Sequence, residues 1–317
     1  MNSIFKIKSS EEFLEHALNT YEYQIQHCKV YKEYVERLNW VYPTTLNEIP
    51  FLPISFFKTH KVISNLTTKI RFKSSGTGGN RSSHYLGDLS LYNSSFQTCY
   101  SQQIGDVRQQ IIIALLPNYL EQGDSSLVYM VDALIKKSSS EISGFILNDI
   151  EKFKIKYCEA VSTGKEIIIF GVSYALLDLA DAGLNLSKAT IIETGGMKGK
   201  RKELTKEQLH QTLKESLKPK KILSEYGMTE LLSQAYCDSD LIFTPPNWMH
   251  FLIRDINDPF SYLPENKTGG LNIIDLANRE SCSFIATQDL AKANQKGIEI
   301  MGRFDNSDIR GCNLLIQ

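Results

Sequence analysis

At 317 residues the chain is long enough for one large domain or two modest ones, and 42% hydrophobic with 22% charged residues is the make-up of a soluble globular enzyme. A net charge of −1 excludes a global electrostatic pull toward nucleic acid or an anionic membrane surface. Apolar runs such as "IIIALL" are too short to span a bilayer, and "MNSIFKIKSSEEFLEHA" lacks the apolar core and cleavage site of a signal peptide, so a cytoplasmic protein is expected.

Residues from about Ser10 to Leu38 have apolar positions three and four apart and predict a helix, with Ser9 or Ser10 as its cap. "YPTTLNEIPFLPISFF" carries prolines and aromatics and predicts an irregular or extended segment, and "KIRFKSS" a strand running into a glycine-rich turn. Strands and helices then alternate. "QQIIIALLP", "KEIIIFGV", "ATIIETGG" and "KKILSEYG" predict buried strands, with helices at "SSLVYMVDALIKK", "SYALLDLADAG" and "TKEQLHQTLKESL". That order argues for a parallel sheet covered on both faces, with ligand-binding loops at the strands' carboxyl ends. After Tyr236 come short strands at "MHFLIRDI", "GGLNIIDL", "CSFIATQDL" and "GIEIMGRF". The chain therefore divides into a helical segment 1–60, an α/β core 61–236 and a β-rich part 237–317, expected to form one unit.

Three loops carry the candidate chemistry. In "SSGTGGNRSS", Ser74, Ser75, Gly76 and Thr77 let backbone N–H groups crowd an anion and Arg81 adds charge. Taken alone this is as readily a plain turn, and it does not match the Walker pattern. In "ETGGMKGKRKELT", Gly195 and Gly196 allow close approach to a flat ligand, whereas the basic run after them reads more simply as solvated surface. In "SEYGMTE", Tyr226 offers an aromatic face beside Gly227, Thr229 a hydroxyl, and Glu230 either a Mg²⁺ ligand or a helix-start acid. "ATQDL" places Asp289 in a turn, as a ribose-binding or turn-capping acid. The six cysteines, Cys28, Cys99, Cys158, Cys237, Cys282 and Cys312, form no CxxC pair or zinc spacing, and only Cys312 lies in a polar, glycine-flanked setting.

In order, these motifs and "GRFDNSDIRG" resemble the adenylate-forming superfamily of acyl- and aryl-CoA ligases, and so imply its large-domain fold. The phosphate loop departs from that pattern, with Gly78 at a threonine position and Ser82 at the lysine position. Within the superfamily, "IPFLPISFFKTH", "SSGTGGNRS", "ETGGMKGKRKELT", "LSEYGMTELLSQAY" and "GRFDNSDIRGCNLL" resemble the acyl-protein synthetase family of LuxE type over nearly the whole chain.

The resemblance implies ATP and Mg²⁺ as cofactors, with Arg303 near the ribose or phosphate and Glu230 on the metal. It implies activation of a fatty acid, its transfer to Cys312, and delivery to an aldehyde-dehydrogenase-like acyl reductase. Six residues follow Gly311, so the mobile C-terminal ligase domain of the superfamily is expected to be absent. The alternatives are a ligase acting on CoA or a carrier thiol, and a degenerate nucleotide-binding subunit of a reductase complex. A homo-oligomer is left open.

Overall fold

Four apolar runs make the centre of the molecule because each is buried on both faces. The computed structural model describes residues 3–64, 67–75, 81–116, 124–197, 200–202 and 204–303. Of the expected site residues, Gly76, Thr77 and Cys312 lie outside these. Strands β4 (Gln110–Leu115), β6 (Glu166–Val172), β7 (Ala189–Thr194) and β8 (Lys221–Tyr226) are parallel neighbours. The short β5 (Gly144–Phe145) extends the sheet beside β4, and β9 (Ala235–Cys237) closes it antiparallel to β8.

Helices cover both faces. Tyr100 of α4 (Ser90–Gln103) stacks on Phe170 of β6, with ring centroids 6.5 Å apart. On the other face His210 of α8 (Lys206–Leu217) meets the Ser224 hydroxyl of β8 at 2.8 Å. Between them in the chain run α5 (Ser126–Ser138), α6 (Ile150–Ser162) and α7 (Ser173–Asp181). Of these helices, α4 and α6 carry no clear sequence signal.

The expected N-terminal helix is two. Ser9 caps α1 (Ser10–His27), its hydroxyl accepting from the Glu12 N–H at 3.2 Å. The buried Cys28 then takes an extended backbone, φ −97° and ψ 96°, and α2 (Lys29–Arg37) starts afresh. Further on, Phe51, Leu52 and Phe57 of the proline-rich segment are buried in the core. That segment includes β1 (Leu52–Pro53) and the short α3 (Phe56–Thr59), and leads to the hairpin β2 (Ile70–Lys73) and β3 (Ser83–Leu86).

The β-rich part is a second sheet in the order β10 (Ile242–Phe243), β14 (Gly297–Arg303), β13 (Phe284–Asn294), β12 (Thr268–Asp275), β11 (Met249–Arg254). It is antiparallel along that path, and β1 adds to β13 in parallel. The fully buried Trp248 ties it to the first sheet, its indole N–H shared between Ser95 of α4 at 3.1 Å and Ser233 at 2.8 Å. Among the described residues, no helix is long and apolar enough to cross a membrane.

Candidate active site

The carboxyl end of β8 delivers Tyr226 to the seam between the two sheets. Its ring packs edge-on against Phe243 and Phe251, at 5.9 and 6.2 Å, and its hydroxyl donates to Asp289 Oδ2 at 2.6 Å. Arg303, directly across the strand pair from Asp289, brings its Nε to 3.4 Å from Oδ1. Residues 63 and 77 positions from Tyr226 in the chain thus converge on it, joined through one carboxylate. Burial, and then the Asp289 carboxylate, push the Tyr226 phenol well above its ordinary pKa, so it stays a donor. Asp289 does not sit in a turn as expected. It lies inside β13, which runs on to Asn294, because β14 supplies ladder partners along that whole stretch.

Beyond Gly227 the chain turns through Thr229 and Glu230 and enters β9. No helix begins there, so the helix-start reading of Glu230 is overturned. Glu230 is buried, and burial raises its carboxyl pKa against the opposing pull of the Ser82 hydroxyl and the Arg303 charge. The turn is clamped from outside. His84 of β3 places Nδ1 2.8 Å from the Thr229 carbonyl and Nε2 2.9 Å from Asn278 Oδ1. Asn278 in turn donates to the Glu230 carbonyl at 2.7 Å and the Cys282 carbonyl at 2.8 Å. Burial holds His84 down at about 4, against the two oxygens facing its ring, which favour the imidazolium.

The base of the glycine-rich loop is closed by Ser74 and Ser82. The Ser74 N–H donates to the Ser82 carbonyl, and the Ser82 N–H to Ser74 Oγ, both at 3.0 Å. Arg81 is committed to that closure: it donates to the Ser74 and Lys73 carbonyls and meets Asp124 Oδ1 at 3.0 Å. Ser75 is half-buried beside it. Ser82 brings the loop base against Glu230.

Just past β7, Gly195 has φ +76°, a left-handed conformation that favours glycine, and a Cβ at Gly196 would meet no described atom within 4 Å. The basic run beyond is partly engaged: Arg201 pairs with Asp178 and Asp181 of α7, and Lys200 lies 5.0 Å above the Tyr174 ring. Lys198 is outside the described residues.

Sequence reasoning missed a buried polar cluster on the same edge. Glu193 accepts from Ser173 at 2.6 Å, from Ser224 at 2.8 Å and from Lys206 at 2.7 Å. On the opposite face of the same two strands, the Thr194 hydroxyl donates to Glu225. The available signal was a glutamate next to last in each of two strands, in "ATIIET" and "KILSEY".

Comparison with known proteins bears on the fold and the family. Among curated proteins none matches the chain. The ATP-bound MatB of Rhodopseudomonas palustris is similar in structure at a TM-score of 0.55 and 16% identity, over 76% of this chain and 49% of MatB. O-succinylbenzoate coenzyme A synthetase, MenE, from Bacillus subtilis in complex with AMP gives 0.53 and 16%, over 78% and 51%. 2-Hydroxyisobutyryl-CoA ligase with 2-HIB-AMP and CoA gives 0.70 and 10%, over 93% and 68%. The chain spans about half the length of MatB and MenE. At these identities the likeness shows the fold, which is that of the adenylate-forming ligases. The profile of the LuxE acyl-protein synthetases, by contrast, runs from residue 5 to residue 317. A family match over nearly the whole sequence decides the assignment: the chain belongs to the LuxE acyl-protein synthetase family.

Proposed function

We propose that this protein activates a carboxylic acid with ATP to an acyl-adenylate and then carries the acyl group as a thioester on Cys312. The further proposal is that the acid is a fatty acid and that the thioester is delivered to an aldehyde-dehydrogenase-like acyl reductase. The observation that carries the reading is the convergence of Tyr226, Asp289 and Arg303 beside Glu230, in a chain of this family. A carboxylate is a poor acyl donor because its leaving group is oxide, whereas the mixed anhydride with AMP has a stable one. The glycine-rich loop would face the phosphates with backbone N–H groups, and Asp289 would accept from the ribose hydroxyls.

Mg²⁺ fits these residues in one way. Among the described residues no cluster of three ligating side chains exists, but Mg²⁺ held jointly with phosphates needs only one or two carboxylates. Glu230 would supply one, and the ion would neutralise charge on the phosphates. The test of the whole reading is pyrophosphate exchange that requires an added carboxylic acid. Absence of exchange with acids of every chain length would end it.

Two variants probe the nucleotide site. Asp289→Ala removes the acceptor for ribose and strands the Tyr226 hydroxyl. Calorimetric titration is expected to show ATP affinity lower by roughly 1.5–3 kcal/mol, the range for hydrogen bonds to a charged group. Equal affinities would remove Asp289 from the site. Glu230→Gln keeps shape and removes charge, and acid-dependent exchange is expected to fall at least about tenfold, a barrier change of about 1.4 kcal/mol. Unchanged exchange at saturating Mg²⁺ would leave Glu230 a structural residue.

A further inference from the structure

Glu225 is the next-to-last residue of β8, just before Tyr226, and neither the nucleotide reading nor the metal reading uses it. Glu193 of β7 pairs in register with Ser224 of β8, and both face α8. One residue further along each strand the side chains point the other way, so Thr194 and Glu225 share the α4 face. Among the described residues only the Thr194 hydroxyl hydrogen-bonds the Glu225 carboxyl, and it does so at Oε2. Oε1 lies in the space a side chain at Gly227 would fill, 2.4 Å from where a Cβ there would stand. Gly227 itself is exposed. The glycine of the motif thus makes room for an acid oxygen just beneath the exposed turn, on a residue that is itself 7% exposed.

The surroundings disfavour charge on this acid. Glu193 lies behind it on β7, Tyr92 and Cys99 of α4 and Tyr236 of β9 face it, and Lys206 of α8 is the cation that acts on it. Lys206 is already paired with Glu193 at 2.7 Å. Burial is the largest influence, with the Glu193 charge acting in the same direction, and together they raise the Glu225 carboxyl to about 7 against the Thr194 hydroxyl and Lys206.

We propose that Glu225 works as a neutral carboxylic acid whose Oε1–H donates a hydrogen bond to the carboxylate of the acid substrate. This rests on the adenylation reading above. An ionised acid at this place would repel both the substrate anion and the triphosphate, while a neutral one holds the anion and adds no charge. The proton stays on Glu225 throughout. A substrate carboxylate oxygen forms its bond to the α-phosphorus, the bond from that phosphorus to the bridging oxygen breaks, and pyrophosphate leaves with the electron pair.

The experiment is the pH dependence of acid-driven pyrophosphate exchange in wild type and Glu225→Gln. The group is neutral below about pH 7 and ionises above it, so in wild type the KM for the acid is expected to rise about tenfold per pH unit above that point, with kcat nearly constant. Glutamine remains a neutral donor, so its KM should stay flat over the same range and lie within about tenfold of the wild-type value at pH 6. The same alkaline rise in Glu225→Gln, or loss of exchange in Glu225→Gln with retention in Glu225→Asp, would overturn the proposal. Difference infrared spectroscopy reads the proton without turnover: a protonated-carboxyl band at pH 6 that fades on raising the pH through 7 and is missing from Glu225→Gln. Absence of that band in wild type also overturns the proposal. A band present in a protein without any exchange would instead sink the adenylation reading and, with it, the assigned partner of the hydrogen bond.

Discussion

Replacing Cys312 with serine is expected to separate two half-reactions completely. On the proposed reading, pyrophosphate exchange would draw on Tyr226, Asp289 and Glu230, none of which needs a thiol. Cys312→Ser should therefore keep acid-dependent exchange and lose the hydroxylamine-labile acyl adduct expected on wild type, as intact-mass measurement would read. A serine hydroxyl stays almost fully protonated at neutral pH, whereas an ordinary thiol is already a few per cent thiolate. The other cysteines sharpen the expectation. Cys28, Cys99, Cys237 and Cys282 are buried, and burial raises each thiol, Cys99 and Cys237 to about 12. Such thiols are poor nucleophiles near pH 7. Cys158 is exposed on α6, so Cys158→Ser is the control that must still label. An adduct that persists in Cys312→Ser moves the acceptor elsewhere. Exchange without any adduct in wild type points to CoA or a carrier thiol as the acceptor.

The largest effect on stability is expected at Asp275, the fully buried last residue of β12. Its Oδ2 accepts from the N–H groups of Leu232 at 2.8 Å and Ser233 at 3.0 Å. Its Oδ1 accepts from the Ser233 hydroxyl at 2.6 Å and the Ala277 N–H at 3.2 Å. Burial pushes this carboxyl up, but four donors and no acceptor around it call for the anion. Asp275→Ala leaves three buried N–H groups and one hydroxyl without this acceptor, and the hydroxyl also serves Trp248 and Ser95. At about 1–3 kcal/mol for each unsatisfied group, partly relieved by water, a loss of about 3–5 kcal/mol is expected. Urea unfolding measures it, and a change below about 1 kcal/mol would contradict the assignment. The segment released, Leu232–Ser233, directly follows the Glu230 turn, so nucleotide binding should weaken in whatever protein remains folded.

The parallel sheet was legible because double-sided burial writes itself as unbroken apolar runs, as in "QIIIAL" and "EIIIFGV". The helix Ser90–Gln103 was not, since its buried face is Leu91, Tyr92, Ser95, Phe96, Cys99 and Tyr100, a stripe whose serine and tyrosines blur the apolar period. In α6 the inward residues are Phe153 and Ala160 while Ile155 and Val161 face water, so the periodic signal points nowhere. The break at Cys28 has no proline or glycine to announce it. For the site, motif order yielded Tyr226, Asp289, Arg303 and Glu230, which do converge. Glu193, Glu225, His84 and Asn278 stayed hidden because each is defined by a partner 20 to 194 residues away rather than by its neighbours.

The parallel pairing of β1 with β13 also bears on how the protein comes into being. Gln24 of α1 donates to the Arg279 carbonyl across 255 residues of chain, and Tyr21, Tyr31 and Phe51 all pack on Phe284. Synthesis runs from the N-terminus, so the inward face of α1 leaves the ribosome with its lid not yet made. These contacts wait for the stretch from Arg279 into β13, and β13 also carries Asp289. The same late strand completes the shelter for α1 and the Tyr226–Asp289 contact. Contacts of such long range also close slowly, because the entropy of so large a loop is lost before any of them is gained. Throughout that interval the nascent chain presents an apolar stripe of Phe13, Ala17 and Tyr21 to whatever holds unfinished proteins.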